Sequence, residues 1–543
     1  MPVSRRAQSM RLFERRASGA AREGCERDEP RRRRPPRYVR ASAVVLPAIL
    51  AALLYLPSLR NPLVWDDELH VPAAATAPAA ELIRPAPGQY ARPMVMVSYA
   101  AQARLGGASP AALHLFNATI HGAAVALLAL LLLRLGAAVP VAAAASILMA
   151  AHPLCSAAVA YVSGRTDLLA ALFLLAALHV ALAERRSGPA LAAAGAAALC
   201  LLSALSKESG VMAGPAVAAL WWHRAWRGRA EHSRPWVAVA ALIASGAGLF
   251  LVWPGDAVSA AVPPWLRLRA AGTTLAILLR LTLWPGDLHL DRLTPTGGGG
   301  AALLGLAFVV AAAGVAAAFL RRPTAPRLAA VLAVLLYLPV CGLIPVHPRI
   351  AEHLIFTGEQ FAYLPLAPLS ALAAGALARW LPVQQRGAIV VASALVLAAA
   401  WTPAVLARQH QLADAESVYR TTLAYSPSPR ACFNLGNLHL ARAQHAQAAA
   451  VYERCVRIAP HDAQAHGQLA IAYQHLRRDE DARRAYERAI GLDSGSAALW
   501  SNFATLDANQ RLYEDARRKW ERALEIDPSF APARESLARL PQR

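Results

Sequence analysis

Residues able to take a proton or grip an anion are gathered into a few short motifs. The first is Trp65-Asp66-Asp67-Glu68, three consecutive carboxylates beside an aromatic ring. A carboxylate held within hydrogen-bond reach of a hydroxyl can act as its base. Arg92 follows in Tyr90-Ala91-Arg92-Pro93, then His114-Leu115-Phe116-Asn117 with His121, His152-Pro153, and Gly164-Arg165-Thr166-Asp167. Ser206-Lys207-Glu208-Ser209 and Glu359-Gln360-Phe361-Ala362-Tyr363-Leu364-Pro365 complete the set. Arginine suits phosphate because its planar fork meets two oxygens at once. Each motif also has a plain structural reading. An acidic triplet can mark a solvated loop, Arg165 with Asp167 can close a helix end, and Lys207-Glu208 can mark a helix terminus. His152 reads as a hydrogen-bonding residue inside a bundle. No His/Asp spacing demands a metal, and the six cysteines form no CxxC pair.

What must position these motifs is a hydrophobic frame. The chain is 56% hydrophobic and 16% charged, a balance that excludes an ordinary soluble globular protein of this size. Residues 41–59 make a first span of the length that crosses a bilayer. The acids just beyond it must therefore stand in water, at the membrane surface. A polar loop fills 60–112. Spans are expected at 113–135, 137–155, 166–184, 189–206, 208–223 and 236–253, with further hydrophobic segments near 270–285, 301–320, 327–346, 360–379 and 387–407.

Charge orients the frame. Residues 1–40 carry thirteen Arg against five acids, and the whole chain has a net charge of +21. Directly before a hydrophobic segment such a tail fixes its end in the cytoplasm, so it reads as a topological signal and not as a nucleic-acid partner. Basic loops at Arg185-Arg186, His223 to Arg234, Arg321-Arg322 with Arg327, and Arg379 with Arg386 belong on the same side. Asp66, Asp67, Asp167, Glu208 and Glu359 then collect on the opposite side. This pattern requires one hydrophobic segment not to cross. The choice falls on 270–285, which is short, contains Arg280 and ends at Trp284-Pro285-Gly286. About eleven crossings then leave the C-terminus outside. High Ala, Arg and Pro usage points to a GC-rich bacterial genome, hence to a bacterial inner membrane.

From about 410 the composition turns soluble and repeats with a period of 34. Leu435, Gly436, Ala448, Tyr452, Cys455 and Pro460 recur as Leu469, Ala470, Ala482, Tyr486, Ala489 and Ser494, then as Phe503, Ala504, Ala516, Trp520, Ala523 and Pro528. Small residues where paired helices approach, large ones filling holes and Pro ending the second helix make the tetratricopeptide pattern. A half-unit from Ala415 to Pro427 precedes the repeats, and Ser529–Leu540 reads as a capping helix. Cys432 and Cys455 fall at core positions of one unit, as buried thiols or as an extracytoplasmic disulfide.

Taken in order, the acidic pair after the first span, Arg92-Pro93, His152-Pro153, Gly164-Arg165-Thr166-Asp167, Ser206-Lys207-Glu208 and Glu359 with Tyr363-Leu364-Pro365 resemble a known family. Over about residues 41–540 the chain is similar to the transmembrane and tetratricopeptide-repeat mannosyltransferases of the GT-C class. The resemblance implies an all-α architecture: a disordered tail at 1–40, a polytopic helix bundle at 41–409 with about eleven spans and outer loop 60–112, and a tetratricopeptide-repeat solenoid at 410–543. It implies inverting transfer of a hexose, mannose in that family, from a polyprenyl phosphate to a protein or glycan hydroxyl on the outer face. Asp66 or Asp67 would be the base. Glu68, Arg92, Arg165, Asp167, Lys207, Glu208, Glu359 and Tyr363 would bind substrate, and no residue is assigned to a metal. No cofactor is implied beyond the lipid-linked sugar. Expected partners are that donor, membrane lipid, and a protein or peptide acceptor held by the repeats. Gln360 departs from the Arg usual in the family, which weakens a phosphate contact there, and the outer loop is degenerate between Val71 and Gln89. The rival reading is a non-catalytic membrane scaffold whose repeats recruit partners. A transporter is less apt, because only Arg280 sits clearly within a span.

Overall fold

Apolar runs broken by Pro and Gly become helices that start and stop at those residues. The computed structural model describes residues 36–78, 81–82, 92–183, 188–227, 235–252, 262–343, 350–351 and 354–540. Residues 1–35, Tyr90-Ala91, Arg185-Arg186 and the 228–234 part of a basic loop lie outside the described residues. The chain divides into two units at Ser42 and Ala43, the second being Ala43–Arg543. The apolar helices and the repeats both fall within the second unit.

Helix α1 (Arg37–Leu53) leads into a 3-10 turn at Leu56–Arg60 and then α2 (Asp67–Thr76). Next come α3 (Pro93–Arg104), α4 (Pro110–Arg134), α5 (Val139–Ala151), a short α6 (Ser156–Val159), α7 (Arg165–Leu182) and α8 (Pro189–Ser206). Then follow α9 (Ala213–Trp226), α10 (Trp236–Val252), α11 (Pro264–Leu283), β1 (Arg292–Pro295), α12 (Gly299–Arg321) and α13 (Ala325–Tyr337). Strands β2 (Ile350–Ala351) and β3 (Leu354–Thr357) precede α14 (Tyr363–Trp380) and α15 (Arg386–Gln411). Ser109 accepts the Ala112 N–H, and Pro110 brings a pre-set φ, so α4 begins there.

Seven helices are long and apolar enough to cross a membrane, or eight if the bent pair Val139–Ala151 and Pro153–Val159 counts as one, among the described residues. Trp236–Val252 and Ala325–Val340 are shorter apolar helices. The hydrophobic segment at 270–285, expected not to cross, is part of a longer helix, α11, which starts at Pro264 and carries Arg267, Arg269 and Arg280. Helix α12 is the most exposed of the long ones, with 11% of its apolar window buried. Close approach is obtained with small residues. A Cβ on Gly272 of α11 would sit 1.9 Å from the Ala301 carbonyl oxygen of α12, so only glycine allows this crossing. Ala144, Ala145 and Ala151 of α5 likewise meet Ala374 and Ala378 of α14 and Ala394 of α15.

Among the described residues the helices are joined by a small antiparallel sheet in the order β1-β3-β2. Arg292 pairs with Thr357 and Pro295 with Leu354. Ile355, Phe356 and Thr357 of β3 are β-branched or aromatic residues that favour this extended form. The sheet matters because Asp291 stands just before β1 and Glu359 just after β3.

The repeat region continues as α16 (Ala415–Tyr425), α17 (Pro429–Ala441), α18 (His445–Ile458), α19 (Ala463–His475), α20 (Asp479–Leu492), α21 (Ala497–Asn509), α22 (Tyr513–Ile526) and α23 (Ala531–Arg539). Ser428, Asp462 and Ser496 each cap the first helix of a pair with a side-chain oxygen. The backbone obeys the sequence period. Ala443, Arg477 and Arg511 take positive φ of 55°, 59° and 64°, one tight turn per repeat. Ala448, Ala482 and Ala516 are fully buried where Tyr452, Tyr486 and Trp520 fill the layer. Cys432 and Cys455 are joined as a disulfide across α17 and α18, with Cα atoms 5.5 Å apart.

Candidate functional site

The acidic motif forms a reversed turn. Trp65 has φ +57°, a left-handed conformation that an aromatic residue adopts only when held. Its ring is held by Tyr419, with centroids 5.2 Å apart, and by the Arg430 guanidinium 4.8 Å from the ring centre. Both partners come from the repeats.

The reversal sends the two aspartates in different directions. Asp67 turns inward and is fully buried. Its carboxylate accepts the Ser163 N–H at 2.7 Å, the Ser163 hydroxyl at 2.5 Å and the Val162 N–H at 3.3 Å. Gly164 makes this approach feasible, since a Cβ there would lie 2.3 Å from the Ala157 carbonyl oxygen. Burial outweighs these hydrogen bonds and pushes the Asp67 carboxyl up to about 7. Its ordinary unfolded value is about 3.9. Between those pH values the folded chain keeps a proton that the unfolded chain loses, so stability should fall as pH rises from about 4 to 7. Melting temperatures of the solubilised protein across that range test this. An undiminished slope in Asp67→Asn would remove Asp67 as its source.

Asp66 stays at the surface, with its side chain 33% exposed. One carboxylate oxygen contacts Arg430, and its backbone N–H donates to the Tyr161 hydroxyl at 3.1 Å. Glu68, two positions on, is exposed. His70 lies one turn further along α2. Burial holds its imidazole below the ordinary pKa, with Asp66 opposing and Arg92 and Arg430 adding to the effect. Burial likewise raises Asp291, with Ser428 and Arg430 opposing and Asp66 adding. Asp66, His70, Arg92, Asp291 and Arg430 therefore share one electrostatic field.

Behind this turn lie cation–carboxylate pairs. Arg92 donates to both Glu208 oxygens at 3.3 and 3.4 Å and is 36% exposed. Burial works against its charge, yet Glu208, Asp167 and Asp66 hold its pKa above the ordinary value. Its Nε–H has no hydrogen-bond partner among the described residues. Lys207 donates to both oxygens of Asp167 at 2.7 Å and lies 4.8 Å from the centre of the Phe361 ring. Glu359 receives Arg408 at 2.8 and 2.6 Å, in a pair that is at most 2% exposed. Tyr363 bonds His121 at 2.8 Å.

Arg165 stands apart. It is fully buried and donates to Asn117, Ser98, Gln102 and the Leu113 carbonyl, with its guanidinium 4.5 Å from the Tyr99 ring centre and 4.7 Å from that of Phe116. That environment makes it an internal post tying α3, α4 and α7. His152 is also internal, 3.0 Å from the Thr282 carbonyl. Among the described residues no group of three or more His, Cys, Asp or Glu could hold a metal ion.

Sequence reasoning missed His70, Asp291, Arg408 and Arg430. Only His70 carried a local signal, since it lies four residues after Asp66 on a helix and so shares its face. An apolar groove of about 270 Å³ runs between α4, α7, α13 and α14. Leu128, Leu174, Leu332 and Leu364 line it, and Tyr363 and Arg227 border it.

A tetratricopeptide-repeat family profile matches residues 405–463 and 433–497. The chain thus carries tetratricopeptide repeats, a fold suited to protein–protein interaction. No curated protein matches the chain. Among solved structures, MamA is 20% identical over 22% of this chain and 72% of its own, with a TM-score of 0.22. The Arabidopsis OM64 TPR domain is 19% identical over 21% of this chain and 93% of its own, at 0.20. YrrB, described as a TPR protein with an unusual peptide-binding site, is 15% identical over 31% of this chain and 78% of its own, at 0.21.

Proposed function

We propose that the protein is a membrane glycosyltransferase that moves a hexose from a polyprenyl phosphate to a protein or glycan hydroxyl. The observation that carries this is the pair of Asp66 and Arg92. One is a surface carboxylate able to take a proton; the other is a part-exposed guanidinium. In the proposed step Asp66 takes the acceptor hydroxyl's proton while its oxygen bonds the sugar's anomeric carbon. The bond from that carbon to the phosphate oxygen breaks, and the electron pair leaves with the phosphate, toward Arg92. Glu208 holds Arg92 in place, with the charge of Asp167 adding to the attraction and Lys207 fixing Asp167. The apolar groove offers the donor's isoprenoid tail a channel among leucines. Asp67 and Arg165 act here as posts for the acidic turn and the bundle. Comparing surface glycoproteins of gene-deleted and parent cells by mass spectrometry tests this. An unchanged hexose pattern, with no transfer from polyprenyl-phosphate hexose in membranes, would leave the second reading. In that reading the repeats recruit partners to a membrane scaffold, and the internal ion pairs Asp167-Lys207 and Glu359-Arg408 favour it.

The proposed location is a bacterial inner membrane with the N-terminus cytoplasmic and the repeats outside, beside Asp66. The Arg430–Asp66 contact and the Cys432–Cys455 disulfide support it, since disulfides persist in oxidising compartments. Alkaline phosphatase fused after Arg543 should be active. Fluorescence of green fluorescent protein at the same site would overturn this topology.

A further inference from the structure

We propose that the first repeat helix is a structural part of the acidic site, and that Arg430 is the positioning residue that sets Asp66 for an acceptor delivered along the repeats. The assignment rests on the glycosyl-transfer reading for its acceptor, but its geometry stands without it.

Arg430 is in a costly place for a cation. It is the second residue of α17, where the unpaired N–H groups of the helix already concentrate positive charge. An acid would suit that position better. The compensating charge is Asp66, which lies 364 residues away in the chain. Around this pair the repeats grip the neighbouring segments at four other points. Tyr419 packs on Trp65, the Leu293 N–H donates to the Ser426 hydroxyl at 2.8 Å, and Ser428 bonds the Asp291 carboxylate. His289 stacks on Tyr425, with centroids 5.5 Å apart. The left-handed Trp65 is thus stabilised from the repeat side, and the turn that presents Asp66 takes its shape from residues of α16 and α17.

The repeats also supply a direction. The first helices α17, α19 and α21 contact one another in succession, as in solenoids whose stacked repeats form an extended concave binding surface. A chain lying along that surface reaches the N-terminal end of α17, and there meets Arg430 and Asp66. A carboxylate has two oxygens, and the Arg430 contact uses one of them. The other can receive the acceptor's proton without breaking the pair. The acceptor class this fits is an extended peptide whose hydroxyl-bearing residue overhangs the solenoid end.

The test uses the full chain in detergent and in membranes. Hydrogen exchange over residues 66–76 should speed up about ten-fold in Arg430→Gln, with Arg430→Lys intermediate. Leu293→Cys with Ser426→Cys, bridged by a short bifunctional thiol reagent, reports whether the repeats remain docked. Bridging should persist in Arg430→Gln. Where hexose transfer is measurable, that variant should lose about 100-fold, chiefly in kcat, with donor binding unchanged. Unchanged exchange in Arg430→Gln would overturn the proposal whether or not transfer is ever observed. Loss of bridging would also overturn it, by reducing Arg430 to a docking clamp. Absent transfer with raised exchange would instead overturn the enzymatic reading and leave the repeat-shaped turn standing.

Discussion

Replacing Asp66 by Asn is expected to lower hexose transfer by about two to four orders of magnitude, with folding retained. Asn keeps the size of the side chain and an oxygen for Arg430, but it cannot take a proton. The side chain is 33% exposed, so the loss of charge leaves no buried group stranded. That separates it from Asp67, whose carboxylate braces Val162 and Ser163 from a fully buried position. Asp67→Asn should therefore show first in stability and only secondarily in rate. The measurement is initial transfer from a polyprenyl-phosphate hexose in membranes holding equal amounts of each variant. Full activity in Asp66→Asn would remove it as the base, and a collapse of both expression and activity would move it among the structural posts.

The second large effect is expected at Arg408. Arg408→Met removes the cation from a pair with at most 2% exposure and strands Glu359 without its counter-charge. Breaking a buried pair on one side costs about 3–5 kcal/mol. Glu359→Gln with Arg408→Met removes both charges and should recover most of that loss. Chemical denaturation of the solubilised protein reads both. A double variant as unstable as the single one would show that Arg408 acts through packing, or through its bond to Gln411 at 3.0 Å. Glu359 then has a clear role, tying the start of α14 to the end of α15, and its substrate contact becomes secondary.

Legibility followed the range of the interactions. The repeats were readable because each unit is local: spacing alone places Ala448, Ala482 and Ala516 against their aromatic neighbours. The apolar helices were readable from composition, though α11 began earlier than expected and the strands around Asp291 and Glu359 did not register as strands. The candidate residues were legible as types. Their division into exposed Asp66 and buried Asp67 was not, because adjacent carboxylates look alike until a turn sends them opposite ways. Arg165, readable as a substrate contact or as the close of a helix end, lies in a nest whose Asn117, Ser98 and Gln102 come from elements whose meeting no local pattern announces. Arg408 and Arg430 were hidden for the same reason. Each answers a charge far away in sequence, inside segments that read as span and repeat.

The distance between Asp66 and Arg430 also sets a clock. After Asp66 is made, 364 further steps pass before Arg430 exists. At about 5–20 residues per second that delay is roughly 20–70 seconds. Throughout it Trp65 lacks the partners that hold its backbone left-handed, and the acidic turn is free to relax. A nascent chain whose earlier helices are already folded would thus carry an unshaped acidic turn, which takes its final form only once the first repeat has folded.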